Sequence, residues 1–343
     1  MLHTHRTFPM RARLGAAILM ALASLSVLAA SNAHATTTSL PTLAQVYADV
    51  QASVGTTKAP NPNTTVPPLT VMINDSRYAS LSPQRAGCWA NSVFVALPAN
   101  VNTFCAYGDT VATRTILLTG DSQAGMWLPA LDALGKQLSW KIIFLAMREC
   151  GPWGSPNGAN FLIFKNVSAA NCRTRNSAVA NWATVNHPAV VMLSGRGYPK
   201  GWNIDVKPVL STLVTEMSQE VNALRPSGAR LIVIGPIPRY DTQTAVQDPT
   251  NCLDFAAPFV DCQQSPTKLM PSVEVAAENF QASVNHFKIA KVFGLMCTLQ
   301  KCTIVVQDAG VTHLVFFDGA HINRVYSVWI SQALATIVQP LLP

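Results

Sequence analysis

Short apolar runs alternate with amphipathic stretches along most of this chain, and the two periods are easily told apart. The runs at 115–119 (TILLT), 141–147 (KIIFLAM), 189–194 (AVVMLS), 230–235 (RLIVIG) and 313–317 (HLVFF) read as strands. A strand covered on both faces loses its alternation and becomes continuously hydrophobic. Between these runs, apolar residues recur at three- and four-residue spacing. Residues 124–138 place Trp127, Leu131, Leu134 and Leu138 on one helical face, 207–225 behave in the same way, and a last helix is expected over 322–337. Strand and helix in alternation predict an α/β fold, a flavodoxin-like three-layer α/β/α sandwich with a mainly parallel five-stranded sheet. Such sheets bind ligands outside the carboxyl ends of their strands, so reactive residues are expected just after a strand.

The chain begins differently. Arg6, Arg11 and Arg13 precede an apolar run from Leu14 to Ala30 that closes on Ala33-His34-Ala35. Basic start, apolar centre and small-x-small ending describe an export signal cleaved near Ala35. The alternative is an uncleaved anchor, since the run is near the lower limit of about 17 residues for a spanning helix. Residues 41–54 have helical spacing, and 55–70 (GTTKAPNPNTTVPPLT) read as an irregular connector rich in Thr, Pro and Asn. The expected organisation is a signal at 1–35, a helix and connector at 36–85, and one domain at 86–343, with no internal repeat. Removing the signal takes three arginines from a net charge of +7 and leaves 21 basic against 17 acidic residues. That mild surplus argues against a nucleic-acid partner and allows loose attraction to an anionic envelope.

All eight cysteines follow the signal. An even number in an exported chain reads as disulfides, although eight cysteines allow 105 connectivities. Neighbour pairing closes four short loops: Cys88 with Cys105, Cys150 with Cys172, Cys252 with Cys262, and Cys297 with Cys302, the last across a hairpin-like polar stretch. Zinc is the rival reading, but no Cys-x-x-Cys pair supports it, and neither a metal nor a cofactor is expected. The compartment is periplasm, cell envelope or extracellular space.

Two strand ends carry candidate chemistry. The first predicted strand runs into Gly120-Asp121-Ser122 at the start of a helix, where a serine could act as a nucleophile at the positive end of the helix dipole or merely cap it. Asp121 reads as a cap or turn residue. The last predicted strand runs into Asp318-Gly319-Ala320-His321. A serine needs an imidazole to take its proton and a carboxylate to orient that imidazole, and this turn could supply both. Trp127 and Trp153 could face a sugar ring or fill the core.

Taken together these residues resemble the SGNH or GDSL-type hydrolases. Within that group they more closely resemble the extracytoplasmic SGNH domain of the acyltransferase-3 proteins that O-acylate bacterial envelope glycans. The resemblance runs from Cys88 to the C-terminus. It rests on Cys105-Ala106-Tyr107-Gly108-Asp109, Leu118-Thr119-Gly120-Asp121-Ser122 followed by Trp127-Leu128-Pro129-Ala130-Leu131, Cys150-Gly151-Pro152, Cys172, Val190 to Ser194, the Cys297 to Cys302 hairpin and Asp318-x-x-His321. It implies a catalytic triad of Ser122, His321 and Asp318. Two positions depart from the family pattern: Gln123 stands where a histidine is common, and Gly195-Arg196-Gly197-Tyr198 replaces Gly-x-Asn-Asp, whose asparagine serves the oxyanion. Candidate oxyanion donors here are Ser122 N–H, Gly195 N–H, Arg196 and Asn203.

The expected function is an exported serine-dependent O-acyl esterase or O-acyltransferase acting through an acyl-enzyme on acylated envelope carbohydrate. Its partners would be that glycan or another ester and, for transfer, a membrane acyltransferase that supplies acyl groups. The alternative is a glycan-binding or scaffold module with a degenerate site.

Overall fold

The computed structural model describes residues 39–74, 85, 87–90, 96–153, 169–196, 210–240, 249–254 and 259–343. The proposed signal sequence therefore lies outside the described residues. From Leu40 to Pro343 the chain forms one compact unit.

The strands are β1 (Thr65–Val66), β2 (Trp89–Ala90), β3 (Ala106–Gly108), β4 (Thr115–Gly120), β5 (Lys141–Met147), β6 (Val190–Ser194), β7 (Arg230–Ile234), β8 (Lys288–Ala290), β9 (Val305–Asp308), β10 (Val311–Leu314), β11 (Phe316–Asp318) and β12 (His321–Ile322). The helices are α1 (Leu43–Ser53), α2 (Leu69–Asn74), α3 (Val101–Phe104), α4 (Ser122–Leu138), α5 (Ala169–Asn186), α6 (Leu210–Leu224), α7 (Pro249–Asp254), α8 (Pro266–Leu269), α9 (Ser272–Ser283), α10 (Arg324–Trp329) and α11 (Ser331–Val338).

The central sheet has the order β2-β5-β4-β6-β7-β8, all parallel, with β3 antiparallel on β5. Successive residues of each strand face opposite layers. Ile116 and Leu118 of β4 join α1, α4, α10 and α11 in one core, through Val46, Trp127, Leu131, Tyr326 and Leu334. Leu117 joins α5, α6 and α9 in the other, through Val179, Met217, Val221 and Ala277. The sheet is buried on both sides, which is why its strands read as unbroken apolar runs. Trp127 and Trp153 are both buried in these cores, so neither offers its face to a sugar. Among the described residues no helix is long and apolar enough to cross a membrane.

The α/β sandwich is the architecture the sequence predicts, but the strand inventory needs correction. Among the described residues the sheet has seven strands rather than five, and 313–317 is not one of them. That stretch is divided between β10, which forms a hairpin with β9, and β11, which pairs with β12. The hairpin turns at Ala309 and Gly310, with φ of 46° and 87°. Positive φ at both central residues gives the twist that matches two antiparallel strands, so a local partner captures the segment. The parallel sheet ends instead at β8, a three-residue strand too short to register as an apolar run. The expected last helix is likewise two helices, α10 and α11, meeting at Ile330.

All eight cysteines are paired, as Cys88–Cys105, Cys150–Cys172, Cys252–Cys262 and Cys297–Cys302. Each closes a loop between neighbours in sequence.

Candidate functional site

Gly120 ends β4 with φ of 134°, and a Cβ there would lie 1.8 Å from the carbonyl oxygen of Ser194 at the end of β6. Only glycine allows the two strand ends to approach this closely, and the tight turn that follows holds Ser122 at the first position of α4. The next residue, Asp121, is buried and caps α4. Its Oδ1 accepts from Gln123 N–H at 2.7 Å and its Oδ2 from Arg196 N–H at 2.9 Å. One carboxylate thus ties the β4–α4 turn to the segment after β6. Gly120→Ala is expected to cost roughly 3 kcal/mol or more, from left-handed strain plus a backbone clash. A denaturant midpoint equal to that of wild type would refute this.

The opposite wall is the β11–β12 hairpin. Asp318 and His321 are cross-strand partners in its register, so their side chains emerge on the same side. His321 Nδ1 lies 2.9 Å from both Asp318 carboxylate oxygens, and His321 Nε2 lies 2.6 Å from Ser122 Oγ. With Nδ1–H donating to the carboxylate, Nε2 presents its lone pair to the serine hydroxyl. Ala320 N–H also donates to Asp318 Oδ1 at 2.7 Å. Burial pushes the Asp318 carboxyl up, but the charge and hydrogen bond of His321, the Ala320 amide and the Arg196 charge together hold it below the usual range. The side chains of His321 and Asp318 keep 19% and 44% of their surface exposed, so the group is open to solvent.

Two residues hold this hairpin against the body, and a third fixes the helix that follows it. Tyr240 N–H donates to Gly319 O at 2.7 Å. Gln123 Nε2 donates to Ala320 O at 3.4 Å, so the residue that departs from the family pattern joins the serine turn to the histidine turn. Ser327 Oγ donates to Met126 O at 2.8 Å and fixes α10 against α4. None of these ties was foreseen from sequence. Tyr240 acts through its backbone N–H, and all three ties end on a backbone carbonyl, which leaves no residue pattern, although a polar Gln123 in an otherwise apolar helix start was a usable signal.

The other candidates divide. Gly195 packs against Asp121 and Pro152, where a Cβ would lie 2.4 Å from the proline ring. Arg196 is buried beside the site, its amide spent on Asp121 and its charge felt by Asp318. Asn203 lies outside the described residues. The other histidines among the described residues sit elsewhere: His313 is buried and stacked on Trp329, His187 contacts Ser227 O, and His286 follows α9. Among the described residues no cluster of His, Cys, Asp or Glu could hold a metal ion.

A family model described as "SGNH domain (fused to AT3 domains)" matches residues 88–336. No curated protein matches the sequence. Among solved structures, the chain is similar to the periplasmic domain of a lipopolysaccharide acetyltransferase from Salmonella ser. Paratyphi A. That pair shares 14% identity over 66% of this chain and 82% of the other, with a TM-score of 0.48. It is also similar to a "putative SGNH hydrolase" from Slackia heliotrinireducens, at 15% identity over 66% and 98% of the two chains and a TM-score of 0.40. A third similarity is to a "putative acylhydrolase" from Bacteroides fragilis NCTC 9343, at 10% identity over 70% and 93% and a TM-score of 0.38.

Proposed function

The chain belongs to the SGNH domain family whose members occur fused to AT3 domains, a family of esterase- and acyltransferase-like proteins, and from that premise we propose an exported serine-dependent O-acyl esterase or O-acyltransferase that acts on acylated carbohydrate of the cell envelope. The observation that carries the reading is the 2.6 Å contact between His321 Nε2 and Ser122 Oγ, with Asp318 on the other ring nitrogen. The four disulfides are those of a chain folded in an oxidising compartment outside the cytoplasm. Export by a signal cleaved near Ala35 is part of the proposal.

In the proposed reaction His321 Nε2 takes the Ser122 proton as Oγ attacks the acyl carbonyl. The carbonyl π electrons move onto oxygen, and the resulting oxyanion lies near Ser122 N–H, which as the first amide of α4 has no acceptor within the helix. Gly195 N–H, the Arg196 side chain and Asn203 are the further donors we assign to it. Collapse of this intermediate breaks the ester C–O bond, and His321 returns the proton to the departing alkoxide. An acyl-enzyme on Ser122 remains. His321 then deprotonates the acceptor as it attacks the acyl carbonyl, the bond from the acyl carbon to Ser122 Oγ breaks, and His321 returns the proton to Oγ. A water acceptor makes the protein an esterase, and a sugar hydroxyl makes it a transferase. For transfer, the acyl group would come from a membrane acyltransferase acting as partner.

The test is p-nitrophenyl acetate turnover by the oxidised protein, with and without an oligosaccharide acceptor. Acetylated sugar marks a transferase and free acetate alone an esterase. A folded protein that neither turns over nor labels with a fluorophosphonate would replace the enzyme by a glycan-binding module.

A further inference from the structure

The amino ends of β7 and β8 lie at the opposite end of the sheet from Ser122, and they frame a cavity of about 350 Å³. Arg230 is in register with Val190 and so with Ile116 of β4, six residues before the serine. At about 3.3 Å per residue the cavity is therefore roughly 20 Å along the sheet from the candidate nucleophile. Its inner wall is apolar, formed by Val221, Leu231 and Phe287, all buried. Its rim carries three cations, Arg225, Arg230 and Lys288. No carboxylate lines it among the described residues.

The three cations are not equally committed. Arg230 Nη1 donates to the carbonyls of Leu341 and Leu342, at 3.1 and 2.9 Å, and so holds the chain end in place. Lys288 Nζ reaches only Asn285 Oδ1, at 3.4 Å. The Arg225 side chain makes no hydrogen bond or ion pair among the described residues. Two exposed cations thus converge on one concave surface without a counter-charge. Glu220, the acid that precedes Val221 on α6, is buried and does not line the cavity.

We propose that this cavity is a second, non-catalytic binding site for a phosphate-bearing sugar, with Arg225 and Lys288 holding the phosphate and the apolar wall receiving the sugar ring. Arginine's fork and lysine's point charge suit a doubly charged phosphate. The volume stands at the small end of ligand pockets, which run from roughly 300 to 1,000 Å³, and suits one sugar ring better than a bare ion or a long glycan. A site at this end of the sheet could hold the protein on phosphorylated envelope glycan while leaving Ser122 free. The proposal is independent of the catalytic reading, because a catalytically dead protein would bind equally well.

The test is titration of the oxidised protein with glucose 6-phosphate, glucose, inorganic phosphate and glucuronate, followed by amide NMR shifts and calorimetry. Glucose 6-phosphate is expected to saturate, to shift amides at Arg225–Arg230 and Asn285–Lys288 but not at Ser122, and to weaken as salt rises. R225A/K288A should weaken it by about tenfold or more at unchanged ester turnover, and R225K/K288R should retain it. Ser122→Ala should bind as wild type does. The proposal falls if glucose 6-phosphate fails to saturate at about ten millimolar, if R225A/K288A binds as well as wild type, or if the shifts centre on Ser122. Equal binding of inorganic phosphate would remove the sugar from the assignment, and equal binding of glucuronate would remove the phosphate.

Discussion

Ser122→Ala is expected to lower kcat on an ester substrate by roughly 10⁴- to 10⁶-fold, to abolish fluorophosphonate labelling, and to leave the unfolding transition almost unmoved. The rate effect follows from chemistry: without Oγ there is no acyl-enzyme, and water would have to attack unaided. The small effect on stability follows from geometry. His321 is 19% exposed, so the Nε2 that loses its serine partner can turn to water rather than remain buried and unsatisfied. His321→Ala should cost about as much as Ser122→Ala, and the double variant little more, because the two groups act as one unit. A Ser122→Ala protein that kept a tenth of wild-type turnover would place the nucleophile elsewhere.

A second large effect concerns stability and pH, and its seat is the packing of α6 on α9. Glu216 and Glu220 from α6 and Glu274 and Glu278 from α9 are all buried, and Gln281 of α9 donates to Val214 O and Ser218 Oγ of α6. Glu274 is paired with Arg239 at 2.6 Å. Burial raises the Glu216 carboxyl to about 7 and that of Glu220 to about 8. Glu278 is raised too, by burial first and then by the Glu274 charge, with Arg239 opposing.

A carboxyl whose folded pKa lies above its unfolded value of 4.5 keeps its proton longer in the native state. Over that window the native state binds more protons, so stability falls as pH rises from 4.5 through 7 and 8. Each pKa unit is worth about 1.4 kcal/mol, so the loss amounts to several kcal/mol. We expect Tm to fall by roughly 10 °C between about pH 5 and 8.5. E216Q/E220Q should flatten the curve, because amides occupy the same volume and cannot ionise. An unchanged slope in that variant would rule out these two groups as its source. Asp318 works in the other direction at the acid end: its folded pKa is depressed, so its contribution is present above the ordinary value of 3.8 and is lost as pH falls below it.

The four buried strands at 115–120, 141–147, 190–194 and 230–234 were legible because β-branched and aliphatic residues follow one another without a break. The helix over 122–138 was legible for a related reason, since Trp127, Leu131 and Leu134 repeat at helical spacing and are buried together. By contrast, 313–317 is as apolar as a core strand, yet it pairs locally, because composition reports burial and not the choice of partner. β8 was invisible for the converse reason: Lys288-Ile289-Ala290 has too few apolar residues to stand out, and it pairs only because β7 offers an open edge.

At the site, the sequence alone could place Ser122, Asp318 and His321 at element ends, because the turn residues beside them (Gly120, Asp121 and Gly319) are written locally. It could also pair the cysteines as neighbours, because chain connectivity already brings such residues close. Tertiary structure decided everything that joins residues far apart in the chain. The 2.6 Å contact spans 199 positions, the Gln123–Ala320 tie spans 197, and the Asp121–Arg196 tie spans 75. It also decided the chemical state of the buried glutamates, which in the sequence look like ordinary polar positions on two helices. The physical reason is the same in both cases: turn geometry and periodicity are carried by neighbouring residues, whereas close approach and loss of water exist only once distant segments have packed.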